Sequence, residues 1–320
     1  WLPLLLLPAL GVAAFPFVGS ASSWMTLTVA GLAMGLMIFI MASGLTLTFG
    51  LMDVLNFGHG AFIAVGAFVA ASVMLALGPW MAASSAGLNL SAVGIAILAA
   101  MAVSGVLGWA FERIVVRPVY GQHLKQILIT TGGLIVAEQL LKVIWGPEQI
   151  TLTRPEALRG AFLLGDIAVE KYRVLAVVIG LAVFAALSLT LNRTRIGLLI
   201  RAGVENGEMV EALGYRIRRL FVGVFVAGSA LAGLGGAMWG LYQEVVTAAI
   251  GGQVIVLVFI VIIIGGLGSV GGCFVGALLV GLTANYVGFL APKVALGSNI
   301  LLMALVLLWR PQGVYPVTNR

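Results

Sequence analysis

Long apolar runs alternate with short polar interruptions along nearly the whole of this 320-residue chain. Most runs approach the roughly 20 residues that a helix needs to cross the hydrocarbon core of a bilayer. The pattern predicts ten helical spans, at 2–18, 27–49, 61–77, 90–110, 126–145, 172–191, 220–239, 254–264, 274–290 and 296–309. The eighth is short enough to be re-entrant, so we expect between eight and ten crossings.

The composition also indicates a membrane protein. Apolar residues make up 62% of the chain, charged residues only 9%, and the mean hydropathy is +1.17. A water-soluble fold of this length could not cover its surface with so few charges. We therefore expect an all-α polytopic bundle with glycine-broken segments, built as one transmembrane domain over residues 1–320. The 43 glycines suit such a bundle, because small residues let helices approach closely in lipid.

The distribution of lysine and arginine predicts the orientation, since cytoplasmic loops carry an excess of these residues. Eleven lie on one side, in the 113–125 loop, the segment 192–219 and the C-terminal tail, against six on the other side. We therefore expect a multi-pass protein with the segment 192–219 and both termini in the cytoplasm. The basic residues are spread over loops and form no single patch, which argues against nucleic acid as a partner.

Two glycine-rich interruptions break the helical runs, at 49–62 and 265–272. Polar or unwound backbone at membrane depth persists only where protein or a water-filled cavity surrounds it. Paired interruptions in the two halves of a transporter indicate a pathway or a hinge. The alternative is that both are tight cytoplasmic turns just outside the bilayer. The candidate pathway or hinge residues are Asn56, His59, Gly60, Gly265, Gly266 and Gly268.

Two side chains in the first interruption have competing interpretations. His59 is a candidate proton relay, but we favour a role in hydrogen bonding that fixes the broken segment. Asp53 is a candidate N-cap for the helix that follows.

Ionisable residues within or beside the spans are also candidates. Glu138 and Lys142 lie four residues apart in the fifth span, an order that favours an ion pair. Because a charge at this depth must be paired or face water, we predict a buried ion pair, with pore lining as the alternative. Glu244 and Gln253 are candidates for an outer vestibule or, equally, solvated loop residues.

Residues 192–219 form a charged island that contains nine of the 28 charged residues, six arginines and three glutamates. Within it we predict a short helix over 207–213, because Asn206 is a favourable N-cap and Gly214 a favourable C′ residue. Its apolar face is expected to consist of Met209, Val210 and Leu213.

A helix this short is marginal alone, so it should be held by packing against the bundle or a partner. Residues 195–204, before it, are expected to extend the sixth span. The alternative for the whole island is an ordinary solvated loop.

Sequence patterns for catalysis are missing. None of the four lysines is followed by serine or threonine, so the chain has no phosphate-binding Gly-x-x-x-x-Gly-Lys-Ser/Thr loop. Gly-x-Ser-x-Gly, His-Glu-x-x-His and Cys-x-x-Cys patterns are missing as well. We therefore expect no enzyme activity, no catalytic residue, no metal site and no cofactor in this chain.

Three stretches together resemble the permease subunits of the branched-chain amino-acid (LIV) type of ABC importer. They are 44–60, which ends in Asn56-Phe-Gly-His-Gly60, the island segments 193–202 and 208–214, and Gly265-Gly-Leu-Gly-Ser-Val-Gly-Gly272. The pair Arg117-Pro118 and the closing Arg310-Pro-Gln-Gly313 fit the same family. The likeness spans most of the chain, and the Asn-Phe-Gly-His-Gly form is similar to the first of the two permease subunits that such importers use.

The resemblance implies a passive channel half in the lipid bilayer of a bacterial inner membrane. Its implied partners are a second, homologous permease that completes a heterodimer, two cytoplasmic ATPase subunits that bind ATP and magnesium, and a periplasmic substrate-binding protein. The island would seat in the ATPase surface, and Gly203 and Gly207 would make it more flexible than a regular coupling helix. The implied coupling residues are Glu208, Met209, Glu211, Ala212, Leu213 and Gly214.

The substrate stays open at this point. The resemblance implies leucine, isoleucine and valine, with urea, short amides or aromatic acids as alternatives within the family. An ion-coupled secondary transporter is a rival from another class, for which Glu138, Lys142 and His59 are the only candidate coupling residues. A structural scaffold is a third class, and it would tolerate changes in the charged island.

Overall fold

A computed structural model describes residues 2–315, apart from the side chains of residues 2, 3, 51, 164, 204, 205, 207, 208 and 296. Within this range the chain is a bundle of helices with two pairs of short strands. The helices are α1 (Leu6–Val18), α2 (Ala21–Met52), α3 (His59–Ala76), α4 (Gly78–Met81), α5 (Ala86–Phe111), α6 (His123–Trp145), α7 (Lys171–Arg193), α8 (Arg195–Glu205), α9 (Gly207–Ala212), α10 (Ile217–Gln243), α11 (Ile250–Gly265), α12 (Val270–Leu290) and α13 (Ala295–Trp309). The strands are β1 (Ile150–Thr151), β2 (Ala161–Leu164), β3 (Ile167–Glu170) and β4 (Val245–Val246).

Seven helices in the described part of the chain are long and apolar enough to cross a membrane: α2, α3, α5, α6, α7, α10 and α12. Three more, α1, α11 and α13, are apolar but shorter. These ten helices correspond one to one with the ten predicted spans. The predicted all-α polytopic fold is therefore confirmed.

Glycines bring the central helices into backbone contact. Gly31 and Gly35 lie one turn apart on α2, and a Cβ added to either would lie 2.9 Å from a Cα of α12, at Leu282 or Leu278. A Cβ added to Gly233 of α10 would lie 2.7 Å from the Ala100 carbonyl oxygen of α5. A real Cβ does not come so close, so glycine is required at these crossings. Close packing of this kind is what drives helices together in lipid, where burial of apolar surface gains little.

Helices α6 and α7 lie at the periphery of this single chain. Only 11% of the residues in their apolar stretches are buried, whereas most residues in the corresponding stretches of α2, α3, α10 and α12 are buried. In a membrane, these exposed faces contact lipid, water or another protein chain. The polar residues on these faces therefore indicate which of these three the faces contact.

The two strand pairs and the charged island lie at opposite ends of the bundle, because α7 and α10 each run from one to the other. We call these the sheet end and the island end. At the sheet end β1 pairs antiparallel with β4, and β2 pairs with β3 in a hairpin. Gly165, at φ +64°, supplies the left-handed residue in the turn of that hairpin.

Residues 195–204 do not extend the sixth span as predicted. Helix α7 ends at Arg193, and Thr194 takes an extended conformation with φ −110° and ψ 159°. Its hydroxyl oxygen accepts a hydrogen bond from the Gly197 amide at 3.3 Å and caps α8. A Cβ on Gly197 would overlap the Leu191 carbonyl, so the chain folds back there. Helix α8 is a separate amphipathic segment that buries Ile200.

Candidate translocation and coupling sites

The first glycine break begins at the C-terminus of α2. Asp53 takes a left-handed conformation, with φ +53°, and its amide donates to the Phe49 carbonyl at 2.9 Å. Asp53 therefore ends α2 and does not cap α3, so the predicted N-cap role was wrong. Gly58 occupies the N-cap position of α3, and no side chain there accepts a hydrogen bond from the first-turn amides. The Asp53 carboxylate lies 3.8 Å from His123 Nε2, at the start of α6.

His59 is buried in the first turn of α3 and fixes this break to α2. Its Nε2 lies 2.9 Å from the carbonyl oxygen of Met41, which can only accept, so Nε2 carries the proton. A Cβ on Gly44 would lie 2.9 Å from His59 Cε1, so glycine makes room for the ring. The predicted hydrogen-bonding role of His59 is confirmed.

Asn56 lies in the same break and is buried. Neither its Oδ1 nor its Nδ2 has a hydrogen-bond partner among the described residues. The neighbouring backbone is held by α6, since the Phe57 amide donates to Thr130 Oγ1 at 3.1 Å. A buried carboxamide without hydrogen bonds costs free energy of folding. Among the predicted pathway or hinge residues, Asn56 is therefore the one whose hydrogen-bonding groups are least satisfied.

Gly60 marks the point where α3 meets the start of α11. A Cβ on Gly60 would lie 2.7 Å from the Gly251 carbonyl oxygen and 3.2 Å from Leu134 Cδ1, at the centre of α6. Helix α11 therefore begins inside the bundle, at about the mid-depth of α6. The late start of α11 accounts for the shortness of the eighth span. The chain nevertheless runs from β4 at the sheet end to the C-terminus of α11 at the island end, so this segment does not return to the end from which it enters.

The second break, at Gly265–Gly272, is a tight turn between α11 and α12. Gly266 and Gly268 have φ of +95° and +83°, and the Ser269 hydroxyl accepts from the Gly272 amide at 3.0 Å to cap α12. The tail is tied to this turn, because the Tyr315 amide donates to the Gly265 carbonyl at 3.0 Å. The geometry is that of the tight-turn alternative, and the hinge role remains a prediction.

The two breaks touch each other at the island end. A Cβ on Gly50 would overlap Gly268, and a Cβ on Gly268 would lie 2.7 Å from Gly50 Cα. The structure thus joins the second break to the end of α2 that leads into the first. His59 and Gly60 lie deeper in the bundle, against Gly44 and Gly251.

Glu138 and Lys142 form the expected pair on α6, with Lys142 Nζ 2.8 Å from Glu138 Oε1. The pair is less buried than predicted, since 29% of the Glu138 side chain and 36% of the Lys142 side chain remain exposed in this single chain. Gln139, next to Glu138, is exposed. Residue spacing predicted the pair, but it could not show that α6 lies at the periphery.

The short helix predicted within the charged island is confirmed as α9. The Asn206 side chain accepts from the Met209 amide at 2.9 Å, and Gly214 follows the helix at φ +88°. Its apolar face is only partly packed: Val210 is buried, but Met209 and Leu213 remain 62% and 68% exposed. The Glu208 side chain lies outside the described part of the structure.

Beside α9 lies a shallow cavity of about 370 Å³, and three of its lining residues are arginines. It is lined by Glu211, Gly214, Tyr215, Arg216, Arg218 and Arg219. Tyr215 is exposed and extends the uncovered apolar surface of α9. The island end thus presents apolar side chains beside cationic ones.

Sequence reasoning missed Arg154, which joins the strand-bearing loop to the end of α10. Its guanidinium donates to the carbonyl oxygens of Leu241 and Tyr242 at 3.2 and 2.9 Å. It also forms ion pairs of 3.0 Å with Glu170 and Glu244. The signal available in the sequence was a loop with nearly equal numbers of basic and acidic residues, which indicates pairing but not the partners.

A second missed pair lies where α5 ends at the island end. Glu112 is buried in a π-helical turn and accepts a hydrogen bond from the Tyr120 hydroxyl at 2.7 Å. Burial, with the Glu112 hydrogen bond and charge, raises the pKa of Tyr120 above its usual range. Tyr120 therefore stays protonated and keeps donating to the carboxylate.

The described residues contain no group of three or more His, Cys, Asp or Glu side chains that could hold a metal ion. The polar groups described above fall into three sets: one at mid-depth around α3, α6 and α11, one at the island end around α9, and one at the sheet end around Arg154. Polar groups at mid-depth and at both ends of a membrane-spanning bundle are compatible with a transport protein.

Sequence comparisons specify the class. Residues 27–309 match the family described as the permease component of the branched-chain amino acid transport system. The chain belongs to this family of transport permeases. It is a multi-pass membrane protein whose relatives are transport subunits and not enzymes.

Individual relatives are similar over most of their length. The chain is 28% identical to the high-affinity branched-chain amino acid permease BraD of Pseudomonas aeruginosa, over 89% of this chain and 93% of that one. It is 26% identical to the permease LivH of Escherichia coli K12, over 89% and 92% of the two chains. It is also 26% identical to the permease LivM of the same strain, over 96% of this chain and 73% of LivM. No solved structure gave a significant match.

Proposed function

We propose that this chain is one of two permease subunits of an ATP-driven importer that carries branched-chain amino acids into a bacterium. The family match and the similarity to BraD and LivH, both high-affinity branched-chain amino acid permeases, support this substrate class. The observation that carries the ATP-driven mechanism is α9, a short helix that leaves Met209 and Leu213 exposed beside a cluster of arginines.

A second permease would complete the channel. One strain of Escherichia coli has two permeases, LivH and LivM, that both resemble this chain over most of its length. Two homologous subunits in one organism support a heterodimer of similar folds. The exposed apolar surfaces of α6 and α7 offer room for such a partner.

The partner at α9 would be a cytoplasmic ATPase. Burying a large apolar side chain is worth about 1.5–3 kcal/mol, so Met209, Leu213 and Tyr215 together would supply a substantial part of an interface. Arg216, Arg218 and Arg219 beside them would meet carboxylates on the partner. ATP and magnesium would bind in that ATPase, and this chain would supply the coupling surface.

Coupling would follow from how α9 is attached. Val210 is the buried contact of α9, and a Cβ on the nearby Gly203 of α8 would lie 3.1 Å from Ile217, the first residue of α10. Movement of α9 would therefore displace α8 and α10 together. Because α10 packs against α2, α3 and α5 at glycine contacts, this displacement would reach the core of the bundle. A periplasmic binding protein would deliver the solute and supply most of the selectivity.

The test is reversal of the charge at Glu211, which lines the cavity beside α9. Glu211→Arg should reduce both co-purification of the ATPase and uptake of radiolabelled leucine. Glu148→Arg, a matched change at an exposed residue of the sheet end, should leave both unchanged. If Glu211→Arg retained full co-purification and uptake, the coupling role of α9 would be wrong.

The substrate is tested separately, with the complete importer in proteoliposomes. Uptake of leucine, isoleucine and valine is expected, while urea, a short amide and an aromatic acid serve as competitors. The proposed substrate class would be contradicted if urea, the short amide or the aromatic acid competed for uptake and leucine did not.

A further inference from the structure

The C-terminal tail caps the island end of α11. The last carbonyl groups of a helix have no partner within the helix, and two of those in α11 accept hydrogen bonds from the tail. The Val314 amide donates to the Ile264 carbonyl oxygen at 2.8 Å, and the Tyr315 amide donates to that of Gly265 at 3.0 Å. Val314 is buried. The end of α11 is therefore held by a packed segment that follows α13.

The motif Arg310-Pro-Gln-Gly313 gives the tail its shape. The Gly313 amide donates to the Arg310 carbonyl oxygen at 3.0 Å, and Arg310 Nη1 donates to the Val314 carbonyl oxygen at 3.3 Å. Gly313 has a left-handed φ of +83°, and a Cβ there would lie 2.5 Å from the Gly266 Cα. A side chain at 313 would therefore push the tail away from the turn between α11 and α12. We call residues 310–315 the C-terminal hook.

The turn that the hook holds also contacts α2 and the start of α12. A Cβ on Gly268 would lie 2.7 Å from the Cα of Gly50, near the end of α2, and a Cβ on Gly272 would overlap the Gly265 carbonyl. Helix α13, which carries the hook, packs against both α11 and α12. The island ends of α2, α11 and α12 thus meet at one junction, and the hook closes it.

An apolar cluster connects this junction to the charged island. It consists of Leu47 of α2, Ile200 of α8, and Val224 and Leu231 of α10. Val270, the first residue of α12, packs against these side chains. We call this group the Ile200 cluster. Contacts therefore run from α8 through the cluster to the start of α12, and from there through the turn to the hook.

We propose that the hook is a positioning element for transport, which makes α11 follow the island when the ATPase moves α8. The turn contains two left-handed glycines, Gly266 and Gly268, and glycine bends easily. Movement of α12 alone would therefore be lost in the turn. With the hook in place, the end of α11 is also held by α13.

Helix α11 then acts as a lever, because its other end lies beside Gly60 at mid-depth in the bundle. The inference rests on the proposed function as an ATP-driven importer. It adds the element through which movement of the island would reach the middle of the membrane.

Gly313→Ala tests the hook, because the added methyl group would separate it from Gly266. Gly297→Ala is the matched control in α13, since nothing lies within 4 Å of its added methyl group. Each variant is purified with the complete importer and reconstituted in proteoliposomes with the binding protein and leucine. The measurements are ATPase co-purification, melting temperature, ATP hydrolysis and the number of leucine molecules taken up per ATP hydrolysed.

Gly313→Ala should keep the ATPase bound and active but lower leucine uptake per ATP at least roughly twofold, the lower end of what residues along a coupling route change. Gly297→Ala should leave this ratio unchanged. An unchanged ratio in Gly313→Ala would overturn the inference. A parallel loss of hydrolysis and uptake with a lower melting temperature would overturn it too, because a merely structural cap would behave in that way.

If Gly313→Ala does not assemble, Arg310→Gln replaces it under the same criteria, because it removes the hydrogen bond to the Val314 carbonyl oxygen. Arg113→Gln is then the control. Arg113 lies over the ring of Trp109 as Arg310 lies over that of Trp309, but it belongs to the segment after α5.

A double-mutant cycle tests whether the hook and the Ile200 cluster act on one route. Ile200→Ala should lower uptake per ATP, whereas Ile196→Ala, at an exposed residue of the same helix, should not. Combined with Gly313→Ala, Ile200→Ala should cause less than the product of the two single losses. Losses that multiply would show independent sites and would overturn the inference, as would an unaffected Ile200→Ala.

This result is separable from the test of the proposed function. An unchanged ratio in Gly313→Ala, in an importer whose Glu211→Arg variant loses the ATPase, would overturn only the role of the hook. Full co-purification and uptake in Glu211→Arg would instead contradict the coupling role of α9.

Discussion

His59 Nε2 of α3 lies 2.9 Å from the Met41 carbonyl oxygen of α2, although the chain turns through a six-residue break between the two helices. Both residues are buried, and Gly44 leaves space for the imidazole ring. This bond places the beginning of α3 well inside the bundle. The short helix α3 can therefore start at depth and still reach the sheet end.

His59→Ala should lower stability without changing the energy source of transport. Loss of a buried hydrogen bond and of the ring volume should cost about 2–4 kcal/mol, measured as a lower melting temperature in detergent. His123→Ala, at an exposed histidine of the island end, should change the melting temperature little.

Uptake by the unmodified importer should persist when a proton gradient is collapsed at constant ATP. Loss of uptake under that condition would favour a proton-relay role for His59.

Adjacent glycines at the start of α11 should respond in opposite ways to the same substitution. Gly251→Ala would place a methyl group into the Gly60 carbonyl, which overpacks the crossing and should cost about 1–3 kcal/mol or more. Gly252→Ala would place its methyl group in open space and should be tolerated. Thermal unfolding of the two purified variants compares them directly. Equal melting temperatures would mean that α11 does not begin against α3.

The turn between α11 and α12 offers a similar comparison. Gly268→Ala should destabilise the protein by at least about 1 kcal/mol, because a side chain at φ +83° is strained and would also press on Gly50. Gly271→Ala is the control, since nothing lies within 4 Å of its added methyl group. Melting temperature and leucine uptake should both fall only in the first variant. If Gly268→Ala kept its stability but lost uptake, the turn would act as a hinge and not only as a structural corner.

Arg154→Gln should weaken the sheet end. The change removes two ion pairs and leaves Glu170 and Glu244 without this cation, so a loss of about 1–3 kcal/mol is expected. Arg159→Gln breaks an exposed pair with Glu156 and an exposed hydrogen bond to the Arg154 carbonyl oxygen, and it should cost less than about 1 kcal/mol. Limited proteolysis of the 146–170 loop gives a local readout. Cleavage should accelerate in the Arg154 variant, and equal rates in both variants would contradict the role of Arg154.

Local signals in the sequence were accurate where the chain itself determines the structure. The N-cap Asn206 and the left-handed Gly214 predicted α9 because capping depends on neighbouring residues. The i, i+4 spacing of Glu138 and Lys142 predicted their ion pair for the same reason. The prediction for Asp53 failed because a short polar residue between two helices can end one or begin the other. Its left-handed backbone, which ends α2, is a property of the folded turn.

The sequence by itself determined that this protein is a membrane-embedded helical bundle, since only long helices satisfy the backbone in hydrocarbon over so many apolar residues. It also placed the helices, the glycine breaks and the charged island. Only the tertiary structure decided that α11 begins against Gly60, that Arg154 joins distant segments, and that Glu138 and Gln139 lie on an exposed surface. These features depend on which helices touch, and helix contacts in lipid rest on shape and close packing between residues far apart in the chain.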